Sequence, residues 1–98
     1  MAKVLFTISY EVQPEKRDEY LALTQQMKNL FSQLNGKSYS IFEQKGKKNN
    51  FSEVFIFDNM EEYDRLEDHD EQMGALVEKL ELLLIDKKMK YTTLVELP

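Results

Sequence analysis

The chain has 98 residues, 42% of them apolar, and a formal net charge of −5. That length makes one domain with a modest core, and the acidic balance argues against the basic footprint that nucleic acids require. With no Cys, disulfides, CxxC redox pairs and thiolate metal sites are excluded.

The first predicted element is a strand. Val4, Phe6, Ile8, Tyr10 and Val12 alternate with Leu5, Thr7, Ser9 and Glu11. A period of two sends one set to each sheet face, and the first set is the more apolar. The opening stretch, Met1 to Phe6, lacks the form of a signal peptide, because alternation continues through Thr7 and no small-residue cleavage site follows. Pro14 stops the strand and suits a first helical turn, where a missing N–H costs nothing. Glu15, Asp18 and Glu19 then place negative charge near the positive end of a helix dipole. The spacing predicts a helix from about Pro14 to Leu34, with Tyr20, Leu23, Met27, Leu30, Phe31 and Leu34 on one face. Asn35-Gly36 is its expected stop.

Two strands follow, roughly Ser38 to Gln44 and Phe51 to Phe57. The charged, turn-forming stretch Lys45-Gly46-Lys47-Lys48-Asn49-Asn50 reads as a solvated hairpin tip between them. Asp58-Asn59 opens a second helical region, since either side chain can accept from free helix N–H groups. Tyr63, Leu66, Met73, Leu76, Val77, Leu80, Leu83 and Leu84 share a helical face, interrupted at Glu67-Asp68-His69-Asp70-Glu71, where a bend or break is expected. A last strand runs from Met89 to Leu97. The longest apolar run, Leu82 to Ile85, is far short of the roughly 20 residues of a membrane span. The expectation is a cytoplasmic protein with neither a membrane nor a nucleic-acid partner.

The order strand, helix, strand, strand, helix, strand describes an α+β, ferredoxin-like βαββαβ sandwich. It comprises a single domain over residues 1–98, a four-stranded antiparallel sheet with helices on one face. A weak echo between Glu19-Tyr20-Leu21 and Glu62-Tyr63 fits two βαβ halves. The other sheet face is left bare, so a second subunit or a ligand is expected to cover it. Leu82 and Ile85, off the core stripe, add further surface for a partner.

Residue chemistry narrows the families that use this order. Copper chaperones need Cys in the first loop, and acylphosphatases need a phosphate-binding Arg there, whereas Arg17 falls inside the helix. An RNA-recognition motif is opposed by Glu53, which lies among Phe51, Phe55 and Phe57 on one strand face. The stretch Phe51-Ser52-Glu53-Val54-Phe55-Ile56-Phe57-Asp58-Asn59-Met60-Glu61-Glu62-Tyr63, with Val12-Gln13-Pro14-Glu15, resembles the dimeric α/β barrel superfamily, which includes antibiotic-biosynthesis-monooxygenase-like proteins. The resemblance implies a homodimer whose sheets close a barrel. It also implies a pocket for a small apolar molecule, and either cofactor-independent monooxygenase-like activity or a non-enzymatic dimeric module. It does not extend to haem degradation. Relatives with that activity use an Asn on the first strand, a Trp and a His, whereas this chain has no Trp and carries Thr7 or Ser9 at the Asn place. Neither a cofactor nor a metal is expected.

Two residues are candidates for chemistry. Glu53 is a carboxylate among aromatics, and burial would raise its pKa and suit it to acid–base work. His69 is the sole histidine. Its acidic neighbours at adjacent positions do not converge on a helix, so it reads as a surface residue at a helix break more readily than as a base or an axial ligand. The expected site turns Glu53, Phe55 and Phe57 toward the bare sheet face with Thr7 and Ser9, and points Val54 and Ile56 toward the helices.

Overall fold

The computed structural model describes residues 2–34, 38–66 and 71–98. Strand β1 (Val4–Glu11) leads through one turn of 3-10 helix at Pro14–Lys16 into helix α1 (Arg17–Leu34). Strands β2 (Tyr39–Glu43) and β3 (Asn50–Phe57) form a hairpin. Helices α2 (Met60–Leu66) and α3 (Glu71–Glu81) precede a second 3-10 turn at Ile85–Lys87 and strand β4 (Lys90–Val95). All pairings in the sheet are antiparallel, and its order is β2-β3-β1-β4. This is the ferredoxin-like α+β architecture.

The helical elements lie close to their predicted bounds. Helix is described on both sides of the predicted interruption, α2 to Leu66 and α3 from Glu71. The proposed helix stop at Asn35-Gly36 and the interrupting residues 67–70, His69 among them, lie outside the described residues. At the start of α2, Asn59 Oδ1 accepts from the Glu62 N–H at 3.0 Å, and Glu62 Oε2 accepts from the Asp58 N–H at 3.3 Å. This reciprocal cap satisfies two donors near the helix start and fixes where α2 begins.

The core lies between one sheet face and the helices. From α1 it takes Tyr20, Leu23, Met27, Leu30 and Phe31, and from the end of the second helical region Leu80, Leu83 and Leu84. From the sheet it takes Val4, Tyr10, Phe51, Phe55 and Phe57. The β2–β3 hairpin is tied to α1 by Arg17, which donates to both carboxylate oxygens of Glu43 at 2.6 and 2.9 Å and to Asn49 Oδ1 at 2.8 Å. The Asn49 N–H donates to Glu43 Oε2 at 2.8 Å. Asn49 is buried at φ 70°, a left-handed conformation that Asn tolerates better than most side chains.

The register of β3 corrects the expected facing. Val4 pairs with Phe57, Phe6 with Phe55, Ile8 with Glu53 and Tyr10 with Phe51. Residues directly opposite in a sheet share a face, and Val4 and Tyr10 are buried under the helices. Glu53, Phe55 and Phe57 therefore point to the helices, while Val54 and Ile56 lie with Thr7 and Leu5 on the opposite face. Bulky rings fill the gap between sheet and helices, and the smaller aliphatic pair takes the other side.

Candidate functional site

The register sorts the helix-side face into cross-strand rows. One row reads Ile41, Glu53, Ile8, Tyr91 from β2 to β4, and the next reads Tyr39, Phe55, Phe6, Thr93. Glu53 stands near the middle of this face and is 2% exposed. A charged residue is almost never so buried unless it is paired or hydrogen-bonded.

Its partners are phenols from two strands, the second of them joined to a third phenol on α1. Tyr39, on β2, donates from its hydroxyl to Glu53 Oε1 at 2.6 Å. Tyr10, on β1, is a second hydroxyl partner of the carboxyl, and it also shares a 2.8 Å hydrogen bond with the hydroxyl of Tyr20 from α1. The tyrosine rings pack in the core while their polar ends meet one another and the carboxyl, the usual arrangement for a buried Tyr. Burial pushes the Glu53 carboxyl above the ordinary carboxylate range, and the Tyr39 and Tyr10 hydroxyls hold part of that rise back. The same burial, reinforced by the neighbouring carboxyl, pushes Tyr10 and Tyr39 upward. Burial also raises Tyr20, against the hydrogen bond from Tyr10. All three phenols therefore stay protonated at neutral pH, Tyr39 and Tyr10 as donors to Glu53 and Tyr20 bonded to Tyr10.

Beside this cluster runs a layer of aromatic rings. Phe31 meets Phe55 edge-on at 5.0 Å, and Phe55 lies 5.7 Å from Phe6. Phe6 touches Tyr63 at 5.7 Å and stacks on Tyr91 at 6.1 Å, with the rings 14° apart. Such spacings suit offset or edge-on ring pairs. The layer is closed at the α1 end and open at β4, where Tyr91 is 58% exposed. The Tyr63 and Thr93 hydroxyls bond at 3.0 Å beside that opening.

The sequence-predicted residues are thus divided between two faces. Glu53, Phe55 and Phe57 are together under the helices. Thr7 and Ser9 are on the far side of the sheet, opposite Val54 and Ser52, and the Ser9 hydroxyl bonds to that of Ser52 at 2.9 Å. The expected single site uniting Thr7 and Ser9 with Glu53 is not formed, because the sheet lies between the two sets. Tyr10 and Tyr39 were missed as partners of the carboxyl, and Tyr20 as the partner of Tyr10. The available signal was three tyrosines on core-facing positions, each needing somewhere to place a hydroxyl.

No family model matches the sequence, and no curated protein aligns with it. The fold does match solved structures. A conserved protein from Methanosarcina mazei Go1 superposes with a TM-score of 0.83 at 15% identity, over 96% of this chain and 92% of that one. An antibiotic biosynthesis monooxygenase superposes with a TM-score of 0.79 at 17% identity, over the full length of both chains. SnoaB from Streptomyces nogalater, a cofactor-independent oxygenase, gives a TM-score of 0.77 at 12% identity, over 94% of this chain and 90% of that one. The chain therefore has the fold of antibiotic-biosynthesis-monooxygenase-like proteins. Among the described residues, no helix is long and apolar enough to cross a membrane.

Proposed function

We propose that the protein is a homodimer of the dimeric α/β barrel type that binds a small apolar, aromatic molecule on the helix side of each sheet and acts on it as a cofactor-independent monooxygenase-like enzyme. The observation that carries this reading is the open end of the aromatic layer at Phe6, Tyr63 and Tyr91, in one sheet with a buried carboxyl. Glu53 and Tyr91 belong to one cross-strand row, with Ile8 between them. Two strand spacings separate them, on the order of 10 Å. A planar molecule laid over the half-buried Phe6 and Ile8 would reach from the Tyr91 ring toward the carboxyl.

In this reading Glu53 is the general base. A carboxyl with a raised pKa holds a proton more firmly once it accepts one, which favours removing a proton from a phenol or enol. The resulting anion is richer in electrons and more readily oxidised by dioxygen. Tyr39 and Tyr10 keep the carboxyl in place. The fold shared with SnoaB, a cofactor-independent oxygenase, supports the reaction class, and the net charge of −5 supports a protein without a nucleic-acid partner.

A specific observation favours a second reading, a non-enzymatic dimeric module. Glu53 is enclosed and its hydrogen bonds are met within the core. In that case the carboxyl and tyrosines serve to specify core packing. The two readings separate on a titration with 1-naphthol and dihydroxynaphthalene, followed by chemical shifts and by oxygen uptake. The enzyme reading expects saturable shifts at Phe6, Tyr63 and Tyr91, with oxygen uptake abolished in Glu53→Gln. Binding without oxygen uptake leaves a binding protein, and no binding leaves the structural module.

A further inference from the structure

The hydrogen bonds around Glu53 form a chain whose direction follows from the protons available. An ionised carboxylate only accepts, so Tyr39 and Tyr10 must both donate to it. A phenol has one proton to give. Tyr10 gives its proton to Glu53, so the 2.8 Å bond between Tyr10 and Tyr20 must be donated by Tyr20. The chain therefore runs from α1 through β1 to β3. Three phenol protons serve three links, and none is left over. A protonated carboxyl brings a fourth proton, for which the chain has no acceptor.

Tyr20 is held rigidly at the far end. It is fully buried, its ring packs on Phe51 at 4.4 Å, and it meets Tyr10 edge-on at 5.8 Å. One turn earlier on α1, Arg17 lies over the Phe51 ring at 5.5 Å and bonds Glu43 and Asn49, which ties this part of the helix to the hairpin. Among the described residues, the Tyr20 hydroxyl has Tyr10 as its one partner.

No cation competes for the carboxylate. Among the described residues the ion pair is Arg17–Glu43, and no Lys or Arg acts on Glu53. The titratable groups that face it are Tyr39 on β2, Tyr10 on β1, Tyr20 on α1 and Tyr91 on β4, each raised by burial and further by the Glu53 charge. Beyond them, Glu43 acts on Tyr20, and Glu81 of α3 acts on Tyr91. The Glu53 charge is thus stabilised by donated phenol protons. Hydrogen bonds in a chain polarise one another, so a Tyr10 that accepts from Tyr20 is a stronger donor to Glu53.

We infer that Tyr20, which shares no hydrogen bond with the carboxyl, is a positioning residue for Glu53: by donating to Tyr10 it points the Tyr10 proton at the carboxylate and sets how firmly Glu53 holds a proton. Its bearing on catalysis rests on the reading of Glu53 as the base; its effect on the carboxyl does not. Every group in the chain lies within one subunit, on the helix side of the sheet, so the inference holds whether or not a second subunit covers the other face.

The test is a pH titration of the Glu53 carboxyl by carbon NMR of the glutamate-labelled full chain, the signal being assigned by its loss in Glu53→Gln. Tyr20→Phe is expected to lower the acid dissociation constant about two- to fourfold, the share of a charge-assisted hydrogen bond that a polarising neighbour supplies. Replacing Tyr20 by 3-fluorotyrosine, a more acidic phenol of nearly the same shape and a stronger donor, raises that constant instead. This milder change keeps the inference testable should Tyr20→Phe fail to fold. In a Tyr10→Phe background, Tyr20→Phe leaves the titration unmoved, because the link is already cut. The acid limb of oxygen uptake with dihydroxynaphthalene moves with the carboxyl. A carboxyl that titrates identically in the parent and in both Tyr20 variants, or that shifts as much without Tyr10 as with it, would overturn the inference. A shifted carboxyl without oxygen uptake would end the base reading and leave this one standing. Oxygen uptake abolished by Glu53→Gln, with a carboxyl indifferent to Tyr20, would do the reverse.

Discussion

Replacing Glu53 by Gln is expected to change how stability depends on pH, and to do so in a defined direction. The carboxyl is 2% exposed, and its folded-state pKa is raised by burial, with the Tyr39 and Tyr10 hydroxyls offsetting part of the rise. In the unfolded chain a Glu titrates near 4.3. Between that value and the raised folded value, the native state holds a proton that the unfolded state has released. Stability therefore falls as pH rises through that interval, then levels off above the folded pKa. The slope approaches about 1.4 kcal/mol per pH unit, so each unit of elevation costs that much at neutral pH. Gln keeps the shape and an oxygen for the 2.6 Å bond from Tyr39, and it does not titrate. Its amide adds donors that the phenol oxygens can accept. Below about pH 4 the variant should lie within about 1 kcal/mol of the parent; as pH rises the parent weakens, the curves cross, and the variant is the more stable at pH 7. Urea unfolding from pH 4 to pH 8 at one protein concentration measures this, with circular dichroism and tyrosine fluorescence as probes, since the chain has no Trp. Two parallel curves across the whole range would refute the assignment of Glu53 as a buried carboxyl with an elevated pKa.

Glu43 should behave in the opposite sense. The Arg17 guanidinium and the Asn49 N–H hold its pKa down to about 2, so its contribution is complete above the unfolded value and is lost as pH falls toward 2; Glu43→Gln should flatten the acid limb of the same unfolding series. Tyr20→Phe removes the 2.8 Å bond to the Tyr10 hydroxyl and should cost about 1–2 kcal/mol in urea unfolding, with the ring packing on Phe51 retained. Sedimentation at micromolar concentration should give twice the chain mass, and Ile56→Arg, on the sheet face away from the helices, should yield a folded monomer; a parent that sediments as a monomer would remove the barrel. A haem titration should show no Soret shift that depends on His69, and His69→Ala should unfold at the same urea concentration as the parent.

The limits of what could be read from the sequence are visible in β3. In β1 the phase was plain, because Val4, Phe6, Ile8 and Tyr10 alternate with Thr7 and Ser9, and the apolar set is the one that meets the helices. In β3 both sets are apolar apart from Ser52 and Glu53, so period two identifies a strand without saying which face is inside. The purely aliphatic Val54 and Ile56 match a Leu-rich helix face, and choosing them for the inside leaves Glu53 turned outward. That match considers one aliphatic pair and not the rings that must go somewhere else. Facing Glu53 outward would also have turned Phe51, Phe55 and Phe57 away from the helices, leaving Val54 and Ile56 to fill the space that three rings occupy under α1. It would also have left the core-facing Tyr39 and Tyr10 hydroxyls without the carboxyl that accepts from them, and Tyr20 bonded to Tyr10 alone. A buried carboxyl is costly alone, but one carboxyl and three phenols can satisfy one another. The decisive quantity was the polar balance of the whole helix-side face, which no single strand displays. One step of register moves the candidate base from the bare face to the helix side, and with it the surface on which a substrate must sit.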